Sequence, residues 1–286
     1  MPYRLLQEPV TFPPKGQRRN APFLVVVYAL MLLVVLFAAG AGCAPPAMEK
    51  RFTDLLERYP GSDEPLAITP LSKAKADELP AWSRGGDIVI MVHPGYSLFF
   101  RSRERNIHSE TKYDLLKLQM DAEAASIRKM AASGQPLILV IPGNYQRDSV
   151  APGSYVHFLN TLTNNSPSVY YITSESANSG GLSTDTMVML YRYLTGMGVG
   201  RVLIGGGYVG RCEREFHNQL LTYFDDIRFF VVPELSSVSP DDVDDDEALD
   251  ILNSLRQNDF TPILRIINEK TPKIQTMDVD SMKPAP

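Results

Sequence analysis

The sequence predicts a three-layer α/β domain, doubly wound on a mostly parallel sheet of five or six strands, with a signal or anchor segment in front of it. Three observations carry that expectation. Short, unbroken apolar runs such as Asp87–Val92 and Pro136–Pro142 read as strands buried on both faces. Longer segments with apolar residues near a 3.6-residue period lie between them. Strands and helices therefore alternate, the pattern of a sheet covered by helices on both sides.

The N-terminus reads differently. Arg4, Lys15, Arg18 and Arg19 precede an uncharged stretch from Ala21 to Met48, whose apolar heart is Phe23–Ala39. A basic flank, an apolar run and then the small residues Gly40-Ala41-Gly42 follow the order of a secretory signal peptide. Cys43 comes next, and Ala44-Pro45-Pro46 reads as an extended tether. The run is also near the roughly 20 apolar residues that cross a bilayer, so a single-span inner-membrane anchor is the alternative. Basic residues on the N-terminal side predict the same orientation either way.

The domain boundaries follow. Residues 1–42 form the signal peptide and 43–85 a tether with an amphipathic helix around Phe52–Tyr59. Residues 86–272 form the α/β domain and 273–286 a flexible tail. The whole chain of 286 residues carries a formal charge of -5, with 44% hydrophobic residues, which excludes wholesale disorder. Removing residues 1–42 takes away four basic residues and one acid, leaving -8. No basic face for nucleic acid is expected from that balance. If Cys43 is modified, Cys212 is the one remaining thiol, so the domain relies on its core and not on a disulfide.

In the domain, Asp87–Val92 is the first strand and Lys112–Ala132 a helix stopped by Gly134. Pro136–Pro142 is the second strand, with a short helix around Val156–Asn164. Ser168–Thr173 is the third strand and Thr184–Gly198 a helix. Arg201–Ile204 is the fourth strand, Arg211–Phe224 a helix and Ile227–Val232 the fifth strand. Thr261–Ile267 is a candidate sixth strand. The acidic run Asp241–Glu247 has alternating Asp residues, as a calcium loop does. However, Glu247 stands at the turn position needing Gly and Asn253 where a bidentate Glu belongs. The acids instead open a helix over Glu247–Gln257, where the helix dipole favours negative charge.

Chemistry in such a sheet belongs at the carboxyl ends of the strands. Gly205, Gly207 and Gly210 satisfy G-x-G-x-x-G, but the turn follows several βα units and so sits wrongly for a dinucleotide. Cys212 begins the next helix, where amides and dipole should lower a thiol pKa. His93, at the end of the first strand, is the candidate general base. Gly205, Gly206 and Gly207 amides with Arg211 form a candidate oxyanion or anion site, and Tyr96 and Ser174 complete the candidate ligand contacts. His108, His157 and His217 show no metal spacing, so neither metal nor cofactor is expected. Arg101, Arg103 and Arg105 read as a solvated loop.

Two resemblances follow from these residues. Gly40-Ala41-Gly42-Cys43 resembles the lipobox of bacterial lipoproteins, with Gly40 where that family usually has Leu. It implies a lipid on Cys43 and an exported protein facing the periplasm. Ala44 instead of Asp resembles the outer-membrane sorting pattern if the cell is Gram-negative. The loop with Tyr96 and Phe99-Phe100, Tyr170–Thr173, the Ser/Gly-rich stretch 174–183 and Leu203–Cys212 together resemble the isochorismatase-like cysteine hydrolases. That resemblance implies Cys212 as nucleophile. It also exposes departures: His93 or Val92 stands where the family has Asp, and Thr173, Ser174 and Glu175 where it has Lys. The expectation is thus a membrane-anchored domain that binds an envelope protein or small anionic ligand without catalysis. The alternative is a diverged hydrolase using Cys212 with His93.

Overall fold

The computed structural model describes residues 46–74, 86–100, 107–271 and 273–282. The signal segment, Cys43 and Arg101, Arg103 and Arg105 lie outside them. Among the described residues no helix is long and apolar enough to cross a membrane.

Six parallel strands form one sheet in the order β1-β4-β3-β2-β5-β6. They are β1 (Thr69–Pro70), β2 (Asp87–Val92), β3 (Leu137–Pro142), β4 (Val169–Ser174), β5 (Arg201–Gly205) and β6 (Arg228–Val231). The order reverses between β2 and β5, with Ile90 level with Ile138 on one side and Ile204 on the other. This is the doubly wound α/β architecture that the apolar runs predict.

Strand periodicity divides the core. Ile88, Ile90, Ile138, Val202 and Ile204 point to one face and meet α6 (Thr184–Gly196) and α7 (Cys212–Tyr223). Val89, Met91, Leu137, Leu139 and Leu203 point to the other. There they meet α1 (Pro46–Glu57), α3 (Glu110–Ser133) and α5 (Pro152–Thr163). Each such side chain contributes about 1.5–3 kcal/mol by leaving water. Local signals set the helix ends: Ser109 Oγ accepts from the Lys112 amide, and Gly134 closes α3 at φ 72°. Short helices α2 (Tyr96–Phe99) and α4 (Tyr145–Asp148) follow β2 and β3 directly.

Three segments differ from the expectation. Thr261–Lys270 is a helix, α9, not a sixth strand. Pro262 sits in its first turn, where a missing amide costs nothing, and Ile263, Ile266 and Ile267 share its buried face. The sixth strand is instead the two-residue edge β1. The acidic run, as expected, opens a helix, α8 (Asp245–Arg256), with Asp244 accepting from the Glu247 amide at 2.8 Å. The described part of the tail is tied down: Val231 donates to Gln275 O and accepts from the Met277 amide. A buried edge strand leaves amides and carbonyls that this segment satisfies.

Candidate functional site

At the carboxyl ends of the central strands lies a cavity of about 620 Å³, lined in part by Tyr96, Asn178, Tyr208, Cys212, Arg214 and Asn218. α7 begins there with Cys212, because Gly206, Gly207 and Gly210 let the chain after β5 turn through positive φ. At Gly207, φ is 64° and a β-carbon would stand 2.7 Å from Cys212 Sγ. Glycine at 207 is therefore what lets the thiol fold back under the turn.

The opposite wall is the loop after β4. Glu215 of α7 accepts from Ser179 Oγ at 2.8 Å and from the Gly180 amide at 3.1 Å. The fit leaves no room at Gly180, where a β-carbon would lie 2.0 Å from the Cys212 carbonyl oxygen. Tyr96 closes the inner end, its hydroxyl donating to Asn178 Oδ1 at 2.9 Å. Its ring stacks on His93 at 5.7 Å and meets Tyr208 edge-on at the same distance. Tyr208 is held in turn by a hydroxyl–hydroxyl bond to Ser97.

The structure shows no hydrogen bond within the proposed dyad. His93 is 1% exposed and has φ 49°, a strained backbone for a residue with a side chain. Its Nε2 is 2.8 Å from Ser174 Oγ, and its Nδ1 has no hydrogen-bond partner. Ser174 Oγ also donates to Ser176 O at 3.0 Å. His93 thus bonds to Ser174 and not to Cys212. Burial lowers its pKa to about 3, so the ring is neutral.

Cys212 also departs from expectation. Its Sγ accepts from the Tyr208 amide at 3.4 Å, and its own and the Glu213 amides act in the same direction. Burial outweighs them and pushes the thiol up to about 11. A helix start lowers a thiol pKa when solvent or a cation shares the charge; here the residue is 5% exposed and no cation offsets its burial.

The candidate anion site is largely occupied by the protein itself. Gly206 N donates to Leu235 O at 2.7 Å. Arg211 makes two bonds to Asp242, at 3.0 and 2.5 Å, and Lys270 reaches the same carboxylate at 3.2 Å. Burial works against the Asp242 charge, but these cations overcome it and lower the pKa. Arg211 therefore brings little free positive charge to the cavity.

Two buried acids were not singled out in the sequence. Glu123, on α3, accepts from the Gly95 amide at 3.1 Å, and its other oxygen has no partner. Burial raises its pKa to about 7, against that amide. Glu213 is 1% exposed; burial raises it to about 8, against a hydrogen bond from Ser236. Both sit on the apolar stripes of their helices, Glu123 in step with Leu116 and Ile127, and Glu213 with Phe216 and Leu220. That placement was the available signal. Among the described residues no group of three His, Cys, Asp or Glu is placed to hold a metal ion.

No family model matches the chain, and no curated protein is similar to it at a significant level. Solved structures do align with it. The YcaC gene product of Escherichia coli, an octameric hydrolase of unknown specificity, is 14% identical over 69% of this chain and 77% of its own, with a TM-score of 0.34. Pyrazinamidase of Pyrococcus horikoshii is 19% identical over 59% and 95%, at 0.35. A cysteine hydrolase of Pseudomonas syringae pv. phaseolicola is 12% identical over 73% and 100%, at 0.37. A likeness at this level says nothing of which groups react.

Proposed function

We propose that this protein is an exported domain, tethered to the bacterial membrane through a lipid on Cys43. It binds a ligand or envelope partner at the carboxyl edge of its sheet without catalysis by Cys212. The observation that supports this reading is the state of the thiol, buried, pushed up to about 11 and not hydrogen-bonded to His93. A nucleophile needs a base within hydrogen-bond reach or a lowered pKa; Cys212 is not hydrogen-bonded to His93, and its pKa is raised. The cavity itself offers aromatic and amide surfaces from Tyr96, Tyr208, Asn178 and Asn218. The second reading, a diverged cysteine hydrolase, draws on one fact: Cys212 lines that cavity at a helix start.

Alkylation separates the two. With its thiol pushed from the ordinary 9.0 up to about 11, Cys212 should react at pH 7.5 about 100-fold more slowly than free cysteine. The rate is read by mass spectrometry of the Cys212 peptide after iodoacetamide treatment. A rate above that of free cysteine would overturn the non-catalytic reading.

A further inference from the structure

We infer that the carboxyl edge of the sheet, with the cavity it carries, is the face turned toward the membrane. The inference rests on the tether proposed above and extends it from attachment to orientation. It comes from the direction of α1.

α3 runs antiparallel to β2. Gln135, just beyond its end, donates to Asp87 O at the start of β2, while Glu123 binds the Gly95 amide just past the strand's carboxyl end. The residues from Glu110 to Glu123 therefore rise roughly 20 Å above that edge, at 1.5 Å per residue.

α1 lies parallel to α3. Arg51 pairs with Glu110 at 2.9 Å, and its carbonyl accepts from Tyr113 Oη at 3.1 Å. Phe52 meets the Tyr113 ring at 5.3 Å, and Arg58, further along, reaches Asp121 at 3.4 Å. The start of α1 therefore points the same way as the start of α3, away from the sheet on its carboxyl side. α1 is fixed there, with Phe52 and Leu55 each 3% exposed.

Cys43 precedes Pro46, the first residue of α1, by three positions. Three residues span at most about 10 Å, so the tether is a short pivot and not a long leash. A domain hung from that end can tilt, but its far edge, where α7 finishes at Tyr223, stays the more distant from the bilayer. The cavity lies at the start of α7, on the carboxyl edge, and so on the near side. The edge carries acids as well as bases, as Lys112 facing Asp245 at 3.9 Å shows. The tether, and not charge, imposes the orientation.

Energy transfer from the protein to the lipid surface tests this. The full chain, matured in bacterial membranes, is reconstituted in phospholipid vesicles with a headgroup-labelled acceptor lipid. A donor dye is placed at Arg147→Cys, beside the carboxyl edge and 75% exposed, or at Tyr223→Cys, on the far edge and 47% exposed. Both variants carry Cys212→Ser. Flotation with the vesicles, and its loss with loss of lipid labelling in Cys43→Ala, reports the anchor. The expected result is flotation with several-fold stronger transfer from position 147 than from 223. Flotation with equal or reversed transfer overturns the orientation and leaves the anchor standing. Failure to float overturns both.

Discussion

The two ends of strand β2 treat buried polar groups in opposite ways. At its start, Asp87 has a side chain 1% exposed, yet every demand it makes is met. Arg201 grips its carboxylate at 2.7 and 2.5 Å, and Gln135 caps its carbonyl at 2.8 Å. At its end, His93, Glu123 and, one strand over, Glu213 are buried without an opposite charge, and each leaves one polar atom unbonded. Folding alone favours the first arrangement, since an unpaired buried polar atom costs about 1–3 kcal/mol. The second arrangement survives at the edge where this architecture places its ligands.

The largest expected effect is on pH dependence. Glu123 and Glu213 have folded pKa values of about 7 and 8, above the ordinary 4.5. A raised acid stabilises fully below its unfolded pKa, and that contribution is lost as pH rises through the folded one. Stability should therefore fall by several kcal/mol between about pH 5 and pH 9, because each tenfold change in proton affinity on folding is worth roughly 1.4 kcal/mol. His93, lowered to about 3, acts with the opposite sign and only below its unfolded pKa of 6.5. Urea titrations across the range measure the fall, and Glu123→Gln with Glu213→Gln should flatten it. An unchanged slope in that double variant would mean the carboxyl end is not where the imbalance lies.

Asp87→Ala probes the satisfied end. It strands the Arg201 guanidinium, whose side chain is only 16% exposed, and should cost about 3 kcal/mol in denaturant unfolding. Adding Arg201→Met should recover much of the loss, because the penalty is the orphaned charge and not the missing attraction. A loss that persists in the double variant would show that the pair itself contributes most of the stability.

The strands were legible because sheets buried on both faces leave unbroken apolar runs, and Ile88–Val92, which follows the charged Asp87, is such a run. Gly134 marked a helix end for a local reason, its left-handed φ. Thr261–Ile267 suits a strand by composition, through Ile-Leu-Arg-Ile-Ile, whereas its buried positions follow the helical spacing of Thr261–Lys270. β1 was invisible: two residues carry no period. The candidate site was legible in location but not in chemistry. Cys212 at the start of a helix and Tyr96 at the cavity wall follow from chain order. The burial that raises the thiol, the Asp242 that occupies Arg211, and the Ser174 that takes His93 are contacts between residues tens of positions apart. No local pattern encodes them.

The smallest effect tests whether the unbalanced end acts as one unit. Ser174→Ala removes the partner of His93 Nε2 and leaves a buried ring nitrogen without a bond. The expected cost is about 1 kcal/mol, read as a shift in the urea midpoint. Ser174→Thr, which keeps the hydroxyl, should retain most of that energy. Neither change should alter Cys212 alkylation, because His93 makes its bond to Ser174 and not to the thiol. If Ser174→Ala changes the alkylation rate tenfold, His93 and Cys212 belong to one coupled arrangement. The carboxyl edge would then be a working site whose parts the resting structure leaves unbonded to each other, and the hydrolase reading would gain the base it lacks.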